Sequence, residues 1–269
     1  MRSGITKFVF TSTTLLLLML FALPRTGSAQ EPGLLYAIAN FFTKPALAAF
    51  SLEAKRGRVI GDIGIPLEGA LAFCRPGGVP YTITNLFDPT AAQLAQLNLG
   101  TGAATLVGSQ QGQALSIMGM TCSPDGTLYA IGQLDSTNPD FNSLYAVDRE
   151  TGLASLIGST GVLDPSELGF SGFFMALAFA PDGTLYGANV NTLFRIDPTT
   201  GMATKVVDFT GVTSVMGLAI DNGGNFYVSD FVPRSFIYAL DVATGVATPI
   251  LDTGLAYVHN IAFKHIVPR

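Results

Sequence analysis

Ala178-Phe179-Ala180-Pro181-Asp182-Gly183-Thr184-Leu185-Tyr186-Gly187, continued by Leu193-Phe194-Arg195-Ile196-Asp197-Pro198-Thr199-Thr200-Gly201, decides the fold of this chain. Small apolar residues run into Pro-Asp-Gly, a tight turn, and Leu-Tyr opens a second strand. A third strand ends at Asp197, whose side chain can bond backbone amides further along its own turn. Gly201 closes that turn because glycine adopts a positive φ at no steric cost. A fourth strand follows from Ala203. Short strands with this punctuation are β structure.

Variants of the unit recur along the chain. Strand openings stand at Tyr36, Tyr129, Tyr186 and Tyr227, with Pro80-Tyr81 as a variant. Further strands are predicted at residues 46–52, 92–97, 143–147, 192–196 and 236–240. The Asp-x-x-Thr-Gly turn returns at Asp148 and at Asp241. Small apolar strands are predicted at 70–73, 118–122, 176–179, 217–220 and 260–263. Residues 30–269 make five such units averaging 48 residues, the length of a propeller blade rather than a sandwich repeat. The expected fold is all-β, a propeller of five four-stranded blades. The repeat enters on a second strand at residues 34–38 and ends on a lone first strand at 260–264. That last strand should therefore join the N-terminal blade and close the ring, leaving no sheet edge open.

Residues 1–29 read as a secretory signal peptide. Arg2 and Lys7 precede an apolar run from Phe8 to Leu23, and Gly27-Ser28-Ala29 supplies small residues for cleavage. Residues 30–269 then form a single propeller domain in a secreted or periplasmic protein. Fourteen Lys and Arg against 19 Asp and Glu give a net charge of −5; without Arg2, Lys7 and Arg25 it is −8. An acidic chain with no basic cluster argues against nucleic acid as a partner. Its later apolar runs are too short to span a membrane. Cys74 and Cys122 lie 48 residues apart, near corresponding ends of two repeats. They are compatible with one disulfide or with two buried thiols.

Connections between first and second strands, and between third and fourth, are tight. Those at residues 40–45, 84–91, 133–142, 160–172 and 230–235 are longer, and the repeat phase brings all of them to the opposite face. Function concentrates on variable loops held by a rigid scaffold. That loop face carries Phe41, Phe42, Phe87, Phe141, Phe173 and Phe231. Such a cluster marks either a site for a protein or small apolar ligand, or a set of rings folded inward to plug the channel. Beneath it, Asn40, Asn85, Gln133, Asn189 and Asp230 are expected at the upper strand ends. His259 and Asn260 replace the Met-Gly or Met-Ala pairs of the other blades. A carboxylate, amides and an imidazole could hold a divalent cation such as calcium, or could simply cap strands and fill the core.

At these residues the chain resembles extracellular propellers of the NHL and gluconolactonase-like types. The motifs are Met175-Ala-Leu-Ala-Phe-Ala-Pro-Asp-Gly183, Tyr227-Val-Ser-Asp230 and His259-Asn260-Ile-Ala-Phe263. The resemblance implies a central cation held by Asp230, Asn260 and Glu68, with His259 beside them, serving a metal-dependent ester or lactone hydrolase. The residues themselves favour a binding module on the loop face, and the hydrolase is the alternative. Asp135 to Asp140 is oxygen-rich enough for weak calcium binding, whereas the Asp-x-x-Thr-Gly turns are explained by turn chemistry alone. P-loop, dinucleotide and His-Glu-x-x-His motifs are absent from the sequence, and two histidines leave little from which to build a Ser-His-Asp triad.

Overall fold

The computed structural model describes residues 33–65, 69–84, 91–108, 116–132, 141–162 and 172–264. Among these described residues, twenty strands make five antiparallel four-stranded sheets arranged as the blades of a ring. The innermost strands are β4 (Gly69–Cys74), β8 (Gly119–Cys122), β12 (Phe174–Phe179), β16 (Val215–Ile220) and β20 (His259–Phe263). Each packs against its two neighbours around the central axis. As the repeat phase predicts, β20 is the inner strand of the sheet that continues with β1 (Leu35–Ala39), β2 (Ala46–Ser51) and β3 (Arg56–Asp62). Leu35 pairs with Phe263 and Tyr36 with Ala262, so the ring is closed by strand pairing between the two ends.

Blades must converge toward the axis, and the inner strands are accordingly small and apolar. A Cβ on Gly119 of β8 would lie 2.8 Å from the Ala176 Cα of β12, closer than side chains come. The core is distributed between blades rather than gathered in one place. One cluster joins Leu218 and Ile220 to Leu193 and Tyr238, another joins Leu128 and Met120 to Tyr81 and Leu94.

The outer turns follow their expected chemistry. Asp148 accepts hydrogen bonds from the Glu150 and Thr151 amides at 2.8 and 2.9 Å, and these amides hold its carboxyl below the usual range. Gly201 has φ +81° and abuts the main chain of Gly158 in the neighbouring blade, which is why no larger residue fits. Cys74 and Cys122 are joined by a disulfide, with 5.1 Å between their Cα atoms. It links the ends of neighbouring inner strands β4 and β8. No helix of the described residues is long and apolar enough to cross a membrane.

Candidate ligand-binding channel

Four of the five inner strands carry a β-bulge at their upper ends. The register shifts between Phe174 and Ala176, between Val215 and Gly217, within Gly69–Ala72, and where Ala37 and Ile38 face β20. A bulge inserts one residue and re-aims its side chain. The inserted residues are Met175, Met216 and Asn260, and Ala70 is held at φ +60° within the β4 bulge. Asn260 is therefore the counterpart of Met175 and Met216, and His259 the counterpart of Phe174 and Val215. The sequence pairing of His259-Asn260 with Met-Gly is displaced by one residue, because the bulge leaves no local signature.

These side chains stopper the channel on the loop face. Phe41, Met118, Phe173, Met175 and Met216 form one buried cluster, with Phe141, Phe231 and Tyr257 packed against it. Phe41 stacks on the His259 ring at 5.0 Å with an 18° interplanar angle, and Phe231 meets that ring edge-on at 5.8 Å. Phe141 and Phe173 pack edge-on at 5.1 Å. Phe42 alone among the described rings of this set is largely exposed, at 60%. It packs by its edge on Phe41, Phe231 and Tyr257. Phe87, Asn85, Gln133 and Glu68 lie outside the described residues.

The polar residues beneath the rings are engaged with the protein. Asn260 Nδ2 donates to the Met118 carbonyl at 2.8 Å and to His259 Nδ1 at 3.0 Å. Because a carbonyl only accepts, this pair fixes the amide's orientation. An amide nitrogen only donates, so Nδ1 accepts and the neutral ring carries its proton on Nε2. Burial drives the His259 pKa down to about 4, since the surroundings disfavour an imidazolium. Among the described residues its Nε2 finds no hydrogen-bond partner.

Asp230 accepts from the Phe236 amide at 2.6 Å and from the Tyr238 hydroxyl at 2.8 Å. Burial, and then this carboxylate, push Tyr238 up to about 12. Asn189 accepts from the Asn191 and Thr192 amides, and the Asn40 carbonyl accepts from the Thr43 amide and hydroxyl. These are turn and strand caps. Among the described residues, no three His, Cys, Asp or Glu side chains converge to hold a metal ion. Asp230 spends its carboxylate oxygens on the Phe236 amide and the Tyr238 hydroxyl, and Asn260 and His259 bond each other, while Glu68, the remaining member of the set that the family resemblance implies, lies outside the described residues.

A residue that the sequence did not single out belongs to the same structural layer. Asn142, buried at φ +49°, donates to the Gly172 carbonyl at 2.8 Å and accepts from the Phe174 amide at 3.1 Å. It ties the loop before β10 (Ser143–Val147) to the head of β12.

The opposite end of the channel holds a cavity of about 200 Å³. Its wall comes from the lower halves of the inner strands, including Leu71, Thr121, Leu177, Ala219, Ile261 and Phe263. Arg75, Ser123 and Asn222, from the tight turns, stand at its mouth. These apolar wall residues read as core in sequence, and only the ring geometry shows that they enclose space.

The fold defines a five-bladed β-propeller. Solved structures of similar fold include a protein of unknown function from Bacteroides thetaiotaomicron, 16% identical with a TM-score of 0.54. The likeness covers 88% of this chain, which spans 66% of the Bacteroides chain's length. A chain of the nidogen–laminin complex is 13% identical over 87% of this chain and 98% of its own, TM-score 0.55. A putative gluconolactonase is 14% identical over 84% and 81%, TM-score 0.50. The resemblance to gluconolactonase-like propellers thus holds at the level of fold. No protein-family model matches the sequence, and no curated protein matches it.

Proposed function

We propose that this chain is an exported binding propeller that admits a small apolar molecule to its channel from the tight-turn face. The observation that carries the proposal is the asymmetry of the channel. One end is packed with Phe41, Phe173, Met175 and Met216, while the other holds about 200 Å³ behind an apolar wall. Concave, mostly apolar sites with a few polar groups at the mouth are where small ligands bind. A cavity of roughly 150 Å³ accommodates benzene in a well-studied case, so this one has room for a ring with a short substituent. The Cys74–Cys122 disulfide supports an oxidising compartment, in keeping with the apolar leader of residues 1–29.

The test is a titration with toluene followed by methyl NMR. Shifts confined to Thr121, Leu177 and Ile261, with Met175 and Met216 unmoved, are expected. Unmoved wall methyls at saturating toluene would remove the proposal. A second reading rests on Phe42, whose exposed ring beside Tyr257 offers a contact for a protein partner on the loop face.

A further inference from the structure

The residue that leaves each inner strand on the tight-turn face occupies one position of a five-membered ring, of which Arg75, Ser123 and Ala180 line the cavity, with Gly78 of the Arg75 turn beside them. The last paired residues are Cys74, Cys122, Phe179, Ile220 and Phe263. The next residues are therefore Arg75, Ser123, Ala180, Asp221 and Lys264. β20 and β4 are neighbours in the ring, so Arg75 and Lys264 stand side by side.

Two contacts bind this arc together. A Cβ on Gly78 would lie 3.2 Å from Lys264 Cε, so the lysine stem lies over the turn that begins with Arg75. Arg149 from the adjacent blade donates its Nη1 to the Arg75 carbonyl at 2.9 Å. Three cations thus share one arc of the rim in a protein that is acidic as a whole.

Three carboxylates on the same face are hydrogen-bonded within their own turns and keep their charge there. Asp125 accepts from the Ser123 hydroxyl and the Thr127 amide, and Asp182 from the Thr184 amide. Asp221, next to Lys264 in the ring, accepts from Asn225 and the Tyr227 hydroxyl. At the Arg75 turn the place of Asp125 is taken by Gly77, which has no carboxylate to offer. Among the described residues none of Arg75, Arg149 and Lys264 forms an ion pair. Thr121 and Asn222, which line the cavity, make no side-chain hydrogen bond there either.

An apolar cavity of this size under an unpaired cationic arc fits one ligand chemistry. We infer that the channel binds a small organic carboxylate, its apolar ring or short chain in the cavity and its carboxylate at Arg75 and Lys264. Charge-assisted hydrogen bonds of an arginine to a carboxylate are stronger than neutral ones. The inference rests on the proposed binding role of the same cavity.

The experiment compares 3-phenylpropionate, its uncharged amide and acetate by calorimetric titration of the whole chain, with wall methyls followed by NMR. Phenylpropionate is expected to bind at least about ten-fold more tightly than either other compound. Arg75→Gln, at an exposed site that leaves the fold untouched, should reduce it to the level of the amide and leave the amide unchanged. Lys264→Gln should act in the same direction. Equal binding of carboxylate and amide overturns the charge assignment while the cavity's binding role stands. Acetate binding as tightly as phenylpropionate overturns the use of the cavity. Wall methyls that move for none of the three compounds, nor for toluene, overturn both.

Discussion

Asn260 Nδ2 donates a 2.8 Å hydrogen bond to the main-chain oxygen of Met118, joining the closing strand β20 to the head of β8 two blades away. The bond is buried, and Asn260 makes it from φ +60°, a conformation that asparagine tolerates better than most residues. The ring is thus held shut by strand pairing at its edge and by this amide near its axis.

Asn260→Ala should lower unfolding stability by about 2–3 kcal/mol, because a buried carbonyl and the His259 Nδ1 both lose their donor. Asn260→Gly loses the same bonds but accepts the positive φ, so it should be about 1 kcal/mol more stable than the alanine variant. Urea unfolding of both variants checks this. Equal stabilities would mean that the bulge backbone relaxes once the amide is gone.

His259 makes stability depend on pH. Its folded pKa of about 4 lies below the ordinary value of 6.5. The unfolded chain therefore binds the extra proton first as pH falls. The contribution is fully present above pH 6.5, is lost progressively as pH falls toward 4, and levels off below that. The full shift corresponds to about 3 kcal/mol. His259→Gln should flatten this part of the pH profile relative to the wild type, measured by urea unfolding at pH 7 and pH 4.5. Parallel profiles would assign the loss to other groups.

Much of the architecture was legible because its signals are local. Pro181-Asp182-Gly183 and Asp197 to Gly201 specify turns by their own side chains and φ preferences, whatever surrounds them. Their recurrence yields the repeat, and the strands at both ends yield the closure through β20. The site was less legible. The direction of Phe41 and Phe173 depends on Met118, Met175 and Met216, which come from three different blades. The displacement of Asn260 depends on a bulge visible only once β20 is paired with β1. The cavity is formed by Leu71, Leu177 and Ile261, ordinary apolar residues until five strands surround an axis. Turns can be read from neighbours in sequence, whereas an enclosed volume belongs to the closed ring.

Asp230 distinguishes a structural carboxylate from a metal ligand. It caps the Phe236 amide and accepts from the buried Tyr238 hydroxyl. Asp230→Ala leaves both donors without an acceptor and should cost about 3 kcal/mol. The same loss is expected in EDTA and in excess calcium. If the wild type were stabilised by calcium and the variant were not, Asp230 would be ligating the ion, since a ligand bound only to the folded state raises its stability.

Phe41 and Phe42 are adjacent in sequence and opposite in surroundings, which makes them a direct test of what the loop face does. Phe41 is 3% exposed, stacked on His259 and enclosed by the methionines of the plug. Replacing it with serine removes a buried ring and leaves a cavity, which should cost about 3–5 kcal/mol. Phe42 is 60% exposed, and Phe42→Ser should change stability by no more than about 0.5 kcal/mol. If the loop face also captures a protein partner, Phe42→Ser should abolish capture while the melting temperature stays where it was. Phe41→Ser would weaken capture only in proportion to the unfolded fraction. Capture by purified Phe42→Ser protein at wild-type strength would confine the role of these rings to closing the channel.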